Sequence, residues 1–241
     1  MERQRCSRQE INPVRNAVCF SQTSFARLSE MMYESKVPAG GHLFWEGDPA
    51  NHLYYVKQGR IHITKPNGEG KEFFLYLLQE GDFWGQPDSG QEAKQDFNAV
   101  AIEDSVVGMI QKRDLEIVLW QHGDLANEFI RWMGLMHRVI QTRFRDQMMY
   151  GKLGALCSTL IRLSNTFGRQ RGDGLYIAEK VTNSQLADYI GSARESVNRM
   201  LGDLKRENAI ELDGGHLVIK GMDYLREICH CEQCPKEVCR I

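Results

Sequence analysis

The sequence predicts an α+β chain, because three patterns follow one another along it. Short apolar runs broken by glycine turns fill the first half. A stretch without turns then keeps its apolar residues three or four apart. The last third holds two short helical segments about a glycine, followed by a hairpin signal.

The first pattern runs from about Pro13 to Leu115. Strands are expected over His42–Trp45, Leu53–Lys57, Arg60–Lys65 and Glu72–Leu78. Gly47-Asp48-Pro49, Gln58-Gly59, Asn67-Gly68 and Gly81-Asp82 are the turns between them. "FNAVAIEDSVVGMIQ" adds two more strands. Short strands at this spacing build an antiparallel β-roll, cupin-like, assigned to residues 1–123.

Across residues 124–150 the turns stop. Phe129, Met133, Met136, Ile140, Phe144 and Met148 form one apolar stripe on a long helix. Such a helix needs a partner; the same helix of a second subunit supplies one, so a homodimer is expected, and the alternative is that the stripe packs on the roll of its own chain.

Residues 151–228 form the third unit. Helix runs to about Phe167, "GRQRGDG" reads as a loop and "LYIAEKV" as a strand. Thr182 with Gln185, and Ser192 with Glu195, read as capping boxes. Leu186, Ala187 and Ile190 give the first short helix an apolar face, and Val197, Met200, Leu201 and Leu204 the second. Gly191 turns between them, and Asp213-Gly214-Gly215 closes a hairpin of "AIEL" and "HLVI". This is a winged helix-turn-helix. Its second helix presents Arg194, Glu195, Asn198 and Arg199, with Ser192 near the phosphate backbone. Arginines can bridge guanine in pairs and a glutamate can accept from cytosine. The partner is therefore double-stranded DNA.

Of the 241 residues, 42% are hydrophobic and 26% charged, with a net charge of −2, so any DNA contact is a local patch. The N-terminus has no apolar signal region, and no apolar run reaches the ~20 residues that span a bilayer. A cytosolic protein with no membrane partner is expected. Thiols there stay reduced, so clustered cysteines read as metal ligands or redox groups before disulfides. Cys229, Cys231, Cys234 and Cys239 are four of the chain's seven cysteines, and all lie in the tail 229–241. Cys231, Cys234 and Cys239 put three thiols within reach of one metal centre, a spacing used for both zinc and iron–sulfur sites. A structural zinc would take Cys229 together with Cys231, Cys234 and Cys239, and a thiol–disulfide switch is the third reading. Cys157 reads as a core thiol, and Cys6 and Cys19 have no assigned role.

Roll, long helix and winged helix in this order resemble the CRP/FNR family of bacterial transcription regulators. The most specific piece is "LADYIGSARESVNRMLGDLKRENAI". The resemblance implies a TGTGA-N6-TCACA-like palindrome, read by Arg194, Glu195 and Arg199, and RNA polymerase as a further partner. Asn198 stands where the FNR-type variant has serine, and Arg194 is an addition to that variant. The tail is similar to the Bacillus-type FNR branch. That similarity implies a 4Fe-4S cluster, one per subunit, on Cys231, Cys234 and Cys239, with Asp146 as fourth ligand and an oxygen-responsive regulator of anaerobic metabolism as the function; the other reading of Asp146 is a solvated helix aspartate paired with Arg143 or Arg145. Cyclic-nucleotide binding is not expected, because no arginine stands between Arg60 and Arg113 to grip a phosphate. An enzymatic reading lacks a histidine–carboxylate set in the roll and leaves the winged helix without a use.

Overall fold

The computed structural model describes residues 14–66, 72–85 and 93–241. The expected Asn67-Gly68 turn, Cys6 and residues 86–92 lie outside them. A turn of 3-10 helix at Asn16–Cys19 and α1 (Gln22–Glu30) precede the strands. These are β1 (Tyr33–Val37), β2 (His42–Phe44), β3 (His52–Gln58), β4 (Arg60–Pro66), β5 (Glu72–Gln79), β6 (Phe83–Trp84), β7 (Asn98–Ala101) and β8 (Ser105–Gln111). Two antiparallel sheets form, β1-β8-β3-β6 and β2-β7-β4-β5. Their inner faces share one core: Leu53, Val56, Val107 and Ile110 from the first meet Ile61, Ile63, Tyr76 and Leu78 from the second. Strand β4 shows why, since Ile61 and Ile63 alternate with the more exposed His62 and point inward. Sequence reading had not marked α1, β1 or the short β6.

His62 packs edge-on against Phe74, with ring centroids 4.9 Å apart. Burial, reinforced by Arg60, pulls its pKa down from 6.5 to about 4. The unfolded chain takes up that proton at higher pH than the folded one. The contribution is therefore complete above pH 6.5 and is lost as pH falls toward 4. With the ring still partly wet, about 2 kcal/mol is expected at most. Urea unfolding of His62→Gln beside the unmodified protein checks this: the difference in stability between the two should change over that window and stay level above it.

Helix α2 (Lys112–Gln121), which sequence reading left inside the roll, leads into α3 (Gly123–Met149). The single stripe expected on α3 is in fact two. Leu125, Phe129, Trp132, Met136 and Val139 are buried against the roll. Ile130, Met133, Ile140, Phe144 and Met148 lie one position further round and are exposed, Phe144 by 65% and Met148 by 69%. Phe129 and Met136 thus belong to the chain's own core. Residues one position apart sit ~100° apart on a helix, so one helix carries both seams.

Tyr150 ends α3, and Gly151, in the left-handed region at φ +63°, turns the chain into α4 (Gly151–Phe167). β9 (Gly168–Arg171), β10 (Gly174–Ile177), α5 (Asn183–Ile190), α6 (Arg194–Arg206), β11 (Ile210–Asp213), β12 (His216–Ile219) and α7 (Met222–Ile228) follow. The sheet order is β11-β12-β10-β9. The expected loop "GRQRGDG" therefore begins as an edge strand, and the strand expected over "LYIAEKV" stops at Ile177. β9 is exposed at nearly every residue, so no apolar alternation marks it in the sequence. Phe74 of the roll stacks edge-on with Tyr189 of α5 at 4.3 Å, and Arg60 pairs with Glu179 at 3.0 Å. These contacts fix the third unit against the roll.

Candidate functional site

Two constellations stand out, on α6 and at the tail. Thr182 accepts from the Gln185 amide and Gln185 from the Thr182 amide, the expected capping box at the head of α5. Gly191 closes α5 at φ +56°, a conformation that suits glycine. The expected second box is absent. α6 begins at Arg194 with Ala193 as its N-cap and no side-chain cap. The Ser192 amide instead donates to the Ala187 carbonyl at 2.9 Å as part of the turn. Glu195 consequently sits at the second helical position, one short of a capping box. Val197, Met200, Leu201 and Leu204 are buried, which leaves Arg194, Glu195, Asn198 and Arg199 together on the exposed face. Asn183 donates to Asn198 at 3.2 Å and steadies it. Ser192 is half-buried at the turn. The wing folds back through β11 and β12.

The second constellation is a small cleft where α3, α4 and the tail meet. Arg145, Asp146, Ser158, Ile161, Arg162, Cys229, Cys231, Glu232, Cys234 and Cys239 line it. Asp146 is only 3% exposed. Its carboxylate takes Arg145 at 2.8 Å and Arg162 at 2.9 Å, and it also accepts from the Ser158 hydroxyl. Arg145 pairs as well with Glu232, between the tail cysteines. Arg162 also donates to the Val238 carbonyl at 3.1 Å and to Thr142 at 3.1 Å. It thereby ties long helix to tail. Sequence reading missed Arg162, although an arginine within the otherwise uncharged run "GALCSTLIRL" was a usable signal.

The tail itself is a set of tight turns. His230 and Gln233 adopt left-handed φ of 45° and 51° on either side of Cys231. Such residues persist only when their surroundings hold them. The His230 ring stacks on Tyr150 at 4.9 Å, and Asn165 donates to the Cys239 carbonyl at 2.7 Å. Burial raises the Cys239 thiol, and pushes Cys229 up to about 12 with help from Cys231 and Asp146. Cys157 is likewise pushed up to about 12 by burial and stands in the core beside α7. Every described cysteine is a free thiol.

The donor set suits a metal centre of the thiolate-rich kind: the four tail thiols and the carboxylates of Asp146 and Glu232 line a single cleft. As they stand, no three His, Cys, Asp or Glu side chains among the described residues are close enough to hold a metal ion. Asp146 is engaged with two arginines, so a ligand role requires it to leave them.

Residues 34–122 match the cyclic nucleotide-binding domain, and residues 154–228 the Crp-like helix-turn-helix domain. The first match leaves the missing arginine as the sole ground for expecting no cyclic nucleotide. The anaerobic regulatory protein of Bacillus subtilis is 40% identical over 92% of this chain and 94% of its own length. The global nitrogen regulator of Synechocystis is 30% identical over 70% of this chain and 76% of its own. Among solved structures, a CooA mutant from Carboxydothermus hydrogenoformans covers 93% of this chain and 98% of its own with a TM-score of 0.72, at 17% identity, a likeness of fold. Among the described residues no helix is long and apolar enough to cross a membrane. The two domains in this order, and the kinship across nearly the whole length, place the chain in the CRP/FNR family of transcription regulators, which are dimeric, non-enzymatic DNA-binding proteins.

Proposed function

We propose that the chain is a cytoplasmic, oxygen-responsive regulator of anaerobic metabolism. It binds a TGTGA-N6-TCACA-like palindrome as a homodimer, beside RNA polymerase, and carries one 4Fe-4S cluster per subunit. The observation that carries this reading is the cleft. It gathers Cys231, Cys234 and Cys239 and the Asp146 carboxylate at the junction of long helix and DNA-binding unit. The Bacillus subtilis relative, named an anaerobic regulatory protein, supports the same class of signal.

Cys231, Cys234 and Cys239 would hold the cluster with Asp146 as the fourth ligand. When bound, such a cluster supplies sensitivity to oxygen. The chain's own residues supply the switch. In the arrangement seen here, Arg145 and Arg162 close on Asp146. A carboxylate turned toward the tail thiols leaves Arg145 to Glu232 and Arg162 to the Val238 carbonyl. These are two pairings of one set of groups. Each holds α4, and with it α5 and α6, against α3 differently. A useful switch needs only a few kcal/mol between them. The roll offers a cyclic phosphate no guanidinium between Arg60 and Arg113, so this reading assigns it no nucleotide.

The test is iron, sulfide and visible absorption on protein purified without air. About four irons and four sulfides per subunit with broad brown absorption, bleached by air, are expected. Colourless protein with one zinc per subunit would overturn the cluster. For the DNA half, Arg199→Ala should weaken binding to the palindrome by about 1–3 kcal/mol per half-site, with little change on unrelated duplex. Fluorescence anisotropy on the two duplexes separates base reading from phosphate contact. Equal losses on both would show that Arg199 reads no base.

A further inference from the structure

Beyond the cleft, Arg240 reaches from the tail into the roll, while Val238 and Ile241 on either side of it bond to α4. Val238, Arg240 and Ile241 are buried, and the side chains of Arg240 and Asp82 have no exposed surface at all. The Arg240 guanidinium meets the Asp82 carboxylate twice, at 2.7 and 2.5 Å, and its Cζ lies 5.5 Å from the Tyr76 ring centroid. Asp82 belongs to the roll's core. Its oxygens also accept from the Asn16 amide at 2.8 Å and the Gln79 amide at 3.0 Å. Asn16 reaches on to the Phe83 carbonyl at 2.8 Å and to the Met136 sulfur of α3 at 3.5 Å. From the other side, Arg143 of α3 donates to the Arg240 carbonyl at 3.1 Å. The Ile241 amide donates to Thr166 of α4 at 3.1 Å.

A charge survives burial only where its partner is already in place. A segment that carries such a charge has one seat and few alternatives. Arg240 follows Cys239 directly, and the Cys239 carbonyl is itself held by Asn165. Whatever fixes Arg240 therefore fixes where the Cys239 thiol stands.

We propose that the buried Arg240–Asp82 pair is the seat of the cysteine tail: it docks the tail's end in the roll and holds Cys239 at the cleft whether or not a cluster is bound. Arg240 is a positioning residue. The seat also joins the tail to Asn16 and Met136, so this ion pair carries a disturbance at the cysteines into the roll, beside the direct bonds of Arg143 and Arg145 of α3 to the tail. The proposal rests on the cluster reading only for what the tail carries.

Amide hydrogen exchange on the full-length, cluster-free protein is the test. In Arg240→Met, the amides of residues 238–241 should exchange at least about tenfold faster than in the unmodified protein, with the roll amides of Ile61 and Ile63 unchanged. Arg240→Lys should restore part of the protection. Unchanged tail exchange in Arg240→Met overturns the seat. Should that variant unfold the roll, Arg240→Met combined with Asp82→Asn removes both charges, and its tail must still exchange fast on a protected roll. On protein reconstituted with iron and sulfide, Arg240→Met should lose iron under air about tenfold faster, and equal rates overturn the positioning of Cys239. Unmodified protein that takes up no iron refutes the cluster reading alone; the exchange result then decides the seat by itself.

Discussion

Cys234→Ser protein is expected to fold as a dimer, hold no 4Fe-4S cluster and bind DNA with an affinity that air no longer changes. The cost to the fold should be small. Cys234 sits half-exposed on the tail turn, and unlike Cys231 and Cys239 it does not pack on the core of the DNA-binding unit. A surface exchange of sulfur for oxygen stays within about 0.5 kcal/mol. The cost to the site is large, because a serine hydroxyl is harder than a thiol and keeps its proton, while iron–sulfur centres are held by thiolates. With one of three thiols gone, the pairing of Asp146 with Arg145 and Arg162 has no competitor. DNA affinity is then fixed at one end of the switch. An allosteric coupling of 1–3 kcal/mol corresponds to roughly 5- to 150-fold in affinity. That whole range should collapse to no change when anisotropy titrations are run with and without air. A variant whose DNA affinity still follows oxygen would remove the tail from the mechanism.

Ile140→Glu combined with Phe144→Glu is expected to give monomers that no longer hold the palindrome. Both side chains lie on the exposed seam of α3, away from the roll, so the chain should still fold. In a two-fold dimer the pair recurs, and four apolar side chains lose their cover. Each large side chain is worth about 1.5–3 kcal/mol when fully buried. Four carboxylates facing one another across the axis add repulsion. Without the partner, each winged helix binds its half-site alone and the gain from tethering two modules, on the order of 10²-fold or more, disappears. Sedimentation equilibrium reports the oligomer directly. A dimer that persists through both substitutions would place the interface elsewhere.

How far the sequence could be read follows from what kind of signal each element left. Strands β2 to β5 were legible because glycine turns framed them. The helix-turn-helix was legible because Gly191 and two apolar faces recur at helical spacing. Helix α1 is nine residues long with only Ser24 and Leu28 buried, so its periodicity is thin. On α3 the pattern was visible, but two seams one residue apart merge into a single broad stripe when the chain is read in one dimension. At the site, the tail spacing announced a metal or redox role, while the cleft draws on three separate segments. Asp146 came into view through a resemblance, and its partner Arg162 not at all. The seat of Arg240 on Asp82, across 158 positions, left no local trace. Long-range pairing of single charges has no period to detect.

The bare start of α6 has a consequence for how stability and affinity trade against each other. With Ala193 as its cap, no side chain accepts from the amides of the first turn. An aspartate there would satisfy one of them and add about 1 kcal/mol to the free protein. It would also set a carboxylate at the end of the helix that DNA approaches, where backbone amides are natural partners for phosphate oxygen. The end of the helix is left unfinished in the free protein, and a duplex can complete it. A screen that rewards heat resistance alone would favour such an aspartate and with it a helix end less suited to phosphate.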